Sequence, residues 1–302
     1  MRILVTGASG FLGGHLAGRL ARDGHTLVLQ GSSTTPSAEP PHRAIRTGPL
    51  ESFSDWNALL DGVDLVVNLA GRAHVMKETA ANAEQAFNAA NAEAVARLVE
   101  AMQARGIASL VHISSIAAKL TINAYGRSKL AGEAVVQDWC RRTGARAAIL
   151  RPPLIFGPGA PGNMARLVSL IRTGLPLPFA SVANRRSMLA VENATDAIAA
   201  VAANGVRPGC TVYELCDDDV ISLPQVVRAI AAGMGRPARL VPFPAPLLRS
   251  ASWFVSRALS DGLFGDLVLD NAPFRADFGW KPVVGTRAAL EAMGRHAARS
   301  NG

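Results

Sequence analysis

Two hydrophobic textures alternate along the first half of this chain. Short β-branched or aliphatic runs stand at Ile3–Thr6, Thr26–Gln30, Leu65–Leu69, Leu110–Ser114 and Ala147–Leu150, with a weaker one at Ala44–Thr47. Between them the apolar positions recur at helical spacing, over Phe11–Arg22, Trp56–Leu60, Ala80–Arg105 and Tyr125–Arg142. Strands alternating with helices in this way predict parallel strands joined by crossover helices, an α/β doubly wound sheet. After Arg151 the pattern breaks, and Pro152, Pro153, Pro158, Pro161, Pro176 and Pro178 alternate with Gly157, Gly159, Gly162 and Gly174. Loops of that composition at the carboxyl ends of strands are where ligand sites collect.

The remainder reads as a mixed cap, with helices near Met164–Arg172, Asn193–Ala203, Pro224–Met234 and Arg287–Arg299 and a strand at Val212–Leu215. The expected division is a sheet domain over residues 1–151, to which a later stretch at about 186–210 returns, and a smaller C-terminal α/β substrate-binding region over 152–302. Gly31–Pro41 is polar and reads as a loop. The stretch from Pro246 to Leu269 is apolar but broken by Arg249, Arg257, Asp261 and Asp266, which predicts a packed amphipathic helix. No apolar run approaches the roughly 20 residues that span a bilayer, so no stable membrane insertion is expected.

Composition narrows the picture without changing it. Of 302 residues 49% are hydrophobic and 18% charged, which suits a packed globular chain. The formal charge of +8 raises the question of nucleic acid. The arginines are scattered (Arg19, Arg22, Arg43, Arg97, Arg105, Arg166, Arg228), with no dense run and no interleaved aromatics, and nucleic-acid binding is set aside. A basic protein with a doubly anionic nucleotide ligand is the simpler account. Cys140, Cys210 and Cys216 are too few and too widely spaced for a disulfide framework or a zinc site. With a strand opening at Arg2 and no leader-like segment before it, the expected location is the cytoplasm.

Three motifs carry chemistry. Thr6-Gly7-Ala8-Ser9-Gly10-Phe11-Leu12-Gly13 follows the first strand and opens a helix. Its glycines suit a tight turn, close approach to a pyrophosphate and helix–strand packing, and the helix N-terminus offers amides to the anion. Tyr125 and Lys129 stand four apart on a helix and share a face. An adjacent ammonium favours phenolate, so the pair predicts a phenol lowered toward working pH, a general acid–base for a carbinol oxygen. Ser114-Ser115 ends the strand at Leu110, where a hydroxyl can bond a reacting oxygen.

Together these motifs resemble the short-chain dehydrogenase/reductases, in particular the extended branch of nucleotide-sugar epimerases, dehydratases and reductases. Asn68-Leu69-Ala70-Gly71, Asn91, Arg151-Pro152-Pro153-Leu154-Ile155-Phe156-Gly157-Pro158-Gly159 and Asp277-Phe278-Gly279-Trp280-Lys281-Pro282 extend the likeness over most of the chain. The resemblance implies a Rossmann-type fold and a catalytic set of Ser115, Tyr125 and Lys129. It implies a cofactor site of Gly7, Ser9, Gly10, Phe11, Leu12, Gly13, Ser32, Ser33, Leu69, Ala70, Gly71, Tyr125, Lys129 and Pro152. It places substrate contacts at His74, Ser115, Asn163 and Arg186, the last suited to a diphosphate by its bidentate guanidinium, and it is compatible with a homodimer.

Departures from the family pattern sharpen the expectation. NAD-preferring folds place an acidic residue after the second strand; here Leu29-Gln30-Gly31-Ser32-Ser33 has none. NADP is therefore favoured over NAD, with Ser32, Ser33 or Arg43 as contacts for the 2′-phosphate. Relatives also carry an Asp near adenine where this chain has Gly48-Pro49-Leu50. The Asp-Glu pair of the dehydratases is replaced by Ile116-Ala117, which argues against dehydration. Ser115 and Tyr125 are only ten positions apart, which predicts a shortened roof over the sugar. The leading expectation is redox chemistry at C4 of a UDP-linked nucleoside-diphosphate sugar, as 4-epimerase or 4-keto-6-deoxy-sugar reductase. The alternatives are an NADPH-dependent reductase of a non-nucleotide carbonyl compound and a Rossmann binding protein without catalysis.

Overall fold

A computed structural model describes residues 1–73, 80–244 and 265–299. The chain divides into two units, the first built from Met1–Pro153, Ala194–Leu215 and Asn271–Lys281. Its centre is a seven-stranded sheet of β1 (Arg2–Thr6), β2 (Thr26–Gly31), β3 (Arg43–Arg46), β4 (Leu65–Asn68), β5 (Ser109–Ile113), β6 (Arg146–Arg151) and β10 (Cys210–Glu214). All pairs are parallel, and the spatial order is β10-β6-β5-β4-β1-β2-β3. This is the doubly wound architecture that the alternating pattern predicts. The order reverses between β1 and β4, and in such sheets ligands bind outside the carboxyl ends of the strands at that reversal.

Leu4, Val28, Val66, Leu110, Ala147 and Ile149 cover one sheet face. Against them pack Val95, Leu98, Val99 and Met102 of α4 (Ala94–Ala104) and Val136 and Trp139 of α6 (Ala124–Thr143). The helix α1 (Phe11–Arg22) follows β1, as its apolar spacing predicts. At the far end of the unit Tyr213 of β10 meets Phe274 and Phe278 edge-on, with Trp280 behind Phe274. The Tyr213 hydroxyl donates to Asp277 at 2.6 Å. The late Asp277–Lys281 motif thus closes the sheet's last strand.

Two expectations are corrected here. The strand expected in the cap at Val212–Leu215 is β10, and it pairs with β6 as the seventh strand of the central sheet. Hydrophobic pattern tells a strand from a helix but not which sheet a strand joins. The helix expected to run unbroken over Ala80–Arg105 is α3 (Ala80–Asn88) and α4, separated by a π-helical turn at Ala89–Glu93. That wider turn seats Asn91 against α6, where a Cβ at Gly132 would stand 3.3 Å from the Asn91 carbonyl carbon.

The second unit comprises Leu154–Asn193, Cys216–Asp270 and Pro282–Gly302. It holds α7 (Asn163–Arg172), the parallel pair of β7 (Ile155–Phe156) with β9 (Leu189–Ala190), and the antiparallel pair of β8 (Arg186–Ser187) with β11 (Val220–Ile221). The helix α9 (Leu223–Gly233) packs on the helix Thr286–Arg299 at close range; a Cβ on Gly294 would lie 3.0 Å from the Gly233 Cα. The helix expected over Asn193–Ala203 is α8 (Val191–Asn204). Most of the stretch expected as an amphipathic helix at Pro246–Leu269 lies outside the described residues. Among the described residues no helix is long and apolar enough to cross a membrane.

Candidate active site

The turn after β1 is built from its glycines. Gly7 adopts φ +68°, and a Cβ there would stand 2.9 Å from the Ala70 amide nitrogen. A Cβ on Gly13 would lie 2.6 Å from the Ala8 Cα. The turn therefore needs hydrogen at both positions, and it brings the loop after β1 against the loop after β4. The Gly7 amide donates to Gln30 Oε1 at 2.9 Å and the Ala8 amide to the Gln30 carbonyl at 2.8 Å. Gly10 caps α1 with no side-chain hydrogen bond, so no side chain competes for the first-turn amides. Such a cradle fits a pyrophosphate.

Strand register then lines up a polar row across the sheet. Thr6 pairs with Asn68 and Asn68 with His112. The Ala70 amide donates to Thr6 Oγ1 at 3.2 Å, Thr6 donates to Asn68 Oδ1 at 2.5 Å, and Asn68 Nδ2 lies 3.0 Å from His112 Nδ1. Because Asn68 Oδ1 already accepts, its amide nitrogen donates, which assigns His112 the Nε2–H tautomer. Burial, then the Lys129 charge, hold the imidazole well below its usual range, so it is neutral. This row, which fixes the end of β4 at Leu69, Ala70 and Gly71, was missed in the sequence. Polar residues at matching strand ends were its only signal.

Above the row lies α6, started by Asn123, whose side chain accepts from the Gly126 amide at 2.8 Å. Ser115, two residues after β5, stands beside the Tyr125 phenol and pulls its pKa down. Between them the chain makes one turn, α5 (Ala117–Leu120), and reverses at Thr121 with φ 49°. Tyr125 is half-buried with its ring 5.8 Å from that of Phe87. Lys129 is buried, and its Nζ donates to the Ile113 carbonyl at 2.7 Å. A Cβ on Gly71 would stand 3.6 Å from that nitrogen. The glycine turn, the β4 loop and the Ser115–Tyr125–Lys129 group are thus contiguous within the first unit.

Electrostatics correct one expectation. Burial holds the Tyr125 phenol above its ordinary value, and the Ser115 hydrogen bond opposes only in part. The Lys129 ammonium is instead engaged on the Ile113 carbonyl. Burial brings Lys129 itself down to about 8, against the upward pull of Glu133. Asn91 completes the surroundings: its Nδ2 donates to Ser128 Oγ and to the Arg72 carbonyl, both at 3.0 Å, and its Oδ1 accepts from the Arg72 amide at 2.9 Å.

The other expected residues distribute as follows. Ser9 is exposed on the glycine turn, and Phe11 and Leu12 are half-buried in the first turn of α1. Ser32 and Ser33 are exposed just after β2. Arg43, at the start of β3, points its guanidinium at the Ala58 carbonyl, 3.5 Å away. Pro152 is buried, and its carbonyl accepts from the Ile116 amide at 3.0 Å. Asn163 is the exposed first residue of α7, and Arg186 lies half-buried on β8, donating to the Gly265 carbonyl at 2.8 Å; both belong to the second unit. His74 lies outside the described residues.

Known proteins resemble this chain. Residues 3–216 match the model of a family described as the NAD dependent epimerase/dehydratase family. A UDP-glucose 4-epimerase of Vibrio cholerae is 25% identical over 93% of this chain and 90% of its own length. A ceramide reductase of Caulobacter vibrioides is 31% identical over 84% of this chain and 77% of its own. The solved structure of UDP-glucuronic acid 4-epimerase from Bacillus cereus, in complex with UDP-glucuronic acid and NAD, matches with a TM-score of 0.82 at 20% identity, covering 99% of this chain and all of that one.

Proposed function

The chain belongs to the NAD dependent epimerase/dehydratase family, and from that membership and the site geometry we propose that it performs NAD(P)-dependent redox chemistry at C4 of a nucleoside-diphosphate sugar, UDP-linked, as a 4-epimerase or a 4-keto-6-deoxy-sugar reductase. The observation that carries this reading is the contiguity of the glycine turn with Ser115, Tyr125 and Lys129. Gly7, Ser9, Gly10, Phe11, Leu12 and Gly13 would hold the pyrophosphate. Ser32 and Ser33 would meet the adenosine ribose, with Leu69, Ala70, Gly71 and Pro152 along the rest of the dinucleotide. When bound, the nicotinamide supplies a hydride acceptor or donor at the sugar carbon.

The protein's own groups handle the proton. Tyr125 is protonated at neutral pH because burial raises its pKa, so it can donate to a carbonyl oxygen and receive the proton back from a carbinol. Ser115, beside the phenol, would orient that oxygen. Lys129, whose Nζ donates to the Ile113 carbonyl, would hold the nicotinamide ribose. Asn163 and Arg186 would take the diphosphate of the substrate.

A second reading has its own support. Leu120 and Ile122, in the short connection between Ser115 and Tyr125, are 46% and 65% exposed. An apolar surface there, with a ceramide reductase among the relatives, favours a reductase of a non-nucleotide carbonyl compound.

Tyr125→Phe tests the shared chemistry. Turnover of the preferred substrate should fall by about 10²–10⁴ while NAD(P)H affinity is unchanged, measured by steady-state rates and fluorescence titration. Retention of a tenth of the activity would refute the role of the phenol. A thermal-shift panel of UDP, GDP, dTDP and CDP on the cofactor-loaded protein separates the readings, since a ligand of the native state raises its melting temperature. No response to any diphosphate would favour the non-nucleotide reductase.

A further inference from the structure

One buried charge in the first unit has no part in the chemistry above. Glu133 stands one turn after Lys129 on α6 and is 1% exposed. Arg151, at the end of β6, grips it with both arms, Nε to Oε1 at 2.9 Å and a terminal nitrogen to Oε2 at 2.5 Å. Oε1 also accepts from the hydroxyl of Ser114. Ser114 is the residue before Ser115, and its amide donates to the Leu150 carbonyl at 2.8 Å. A single carboxylate therefore ties the ends of β5 and β6 to the helix that carries Tyr125 and Lys129.

A pair like this is not explained by stability. Desolvating both ions costs about what their attraction returns, and apolar residues of the same volume commonly do as well. We propose that Glu133 is a positioning residue for the active site: clamped by Arg151 and Ser114, it fixes the Ser115 end of β5 and sets a negative charge one turn behind Lys129. This rests on the reading that Ser115 and Lys129 serve the reaction.

The charged and titratable groups around Lys129 make the effect measurable. On α6 it has Tyr125 on one side and Glu133 on the other. From β5 it faces His112, and from β6 it faces Arg151 across the carboxylate. The loop after β4 presents Gly71, and the π-helical turn presents Asn91, neither of them charged. Tyr125 and His112 are neutral at pH 7, so Glu133 is the anion that opposes burial.

The test reads the lysine directly. The sequence has four lysines, Lys77, Lys119, Lys129 and Lys281, so side-chain NMR of the full-length, lysine-labelled protein can follow each one, with Lys129→Met identifying the signal. In Glu133→Gln the half-protonation pH of Lys129 should fall from about 8 by about one pH unit, because an opposite charge has been withdrawn. The basic limb of the kcat profile should move down with it. If Glu133→Gln fails to fold because Arg151 is left unpaired, Glu133→Gln with Arg151→Met removes both charges and should still show a fall, smaller than one pH unit because a nearby cation has gone as well. An unchanged Lys129 titration in the folded variant would overturn the proposal. A shifted titration with an unshifted kcat profile would uphold the positioning of Lys129 and count instead against its role in turnover.

Discussion

At Gly13 one methyl group decides whether the turn can exist. A Cβ there would stand 2.6 Å from the Ala8 Cα and 2.8 Å from its carbonyl carbon, and backbone atoms cannot swing aside as side-chain tips do. Gly13→Ala should therefore weaken NAD(P)H binding at least tenfold by fluorescence titration; wild-type affinity would show that the turn can relax. The end of β2 offers a similar test. A Cβ on Gly31 would meet the Thr34 carbonyl oxygen, Pro36 Cδ at 3.0 Å and Ser9 Oγ at 3.2 Å, so no carboxylate is accommodated at that position. NADPH should bind at least as tightly as NADH, and Ser32→Asp should shift preference toward NADH by repelling a 2′-phosphate. A strong NADH preference in the unmutated protein would refute this. At this scale the glycines, Tyr125 and Lys129 were legible because local spacing defines them. Glu133 and Arg151 were not, although Glu133 repeats the four-residue step from Lys129, because their partnership depends on two strand ends meeting under one helix.

Elements were legible in proportion to how local their cause is. The helix Phe11–Arg22 carries its own apolar stripe and lies where the pattern predicts. The π-helical turn at Ala89–Glu93 is hidden in an alanine-rich stretch whose period hardly changes when one residue is added. The two-residue strands β7, β8, β9 and β11 are too short to carry a period at all. Beside β9 lies a polar knot. Asp217 is 3% exposed and accepts from the Ala190 amide at 3.1 Å, from Asn193 Nδ2 at 2.7 Å and from Thr286 Oγ1 at 3.1 Å, joining β9, the start of α8 and the start of the helix Thr286–Arg299. Asp217→Asn turns one acceptor into a donor facing other donors and should cost about 1–3 kcal/mol in unfolding experiments at pH 7.5. Burial raises this carboxyl to about 6. A raised acid makes the folded state bind the extra proton, so wild-type stability from this group rises as pH falls from 6 toward 4. The asparagine variant lacks that rise, and its deficit should be larger at pH 5 than at pH 7.5. Equal stability of the two proteins would show that the knot is not a structural tie.

On the scale of the whole chain, alternation alone implied the doubly wound sheet, because few topologies satisfy buried parallel strands with short crossovers. The route of the chain was less legible. It leaves the sheet unit after Pro153 and supplies it twice more, with Ala194–Leu215 and Asn271–Lys281, and pairing of β10 with β6 across some sixty positions leaves no mark on local pattern. That division makes the substrate proposal separable from the cofactor proposal, since the glycine turn lies in the first unit and Arg186 in the second. Arg186 is seated by the pairing of β8 with β11, opposite Ile221, and by its bond to the Gly265 carbonyl. Burial lowers its pKa and Asp266 opposes; a guanidinium nonetheless keeps its charge. If it clamps a diphosphate, Arg186→Ala should weaken UDP binding to the cofactor-loaded protein by about 1.5–3 kcal/mol, the worth of a charged hydrogen bond. NAD(P)H affinity should stay the same, and Arg186→Lys should recover only part of the loss because an ammonium lacks the planar fork. Calorimetry with UDP decides it: equal affinity in wild type and Arg186→Ala would remove the diphosphate from this arginine.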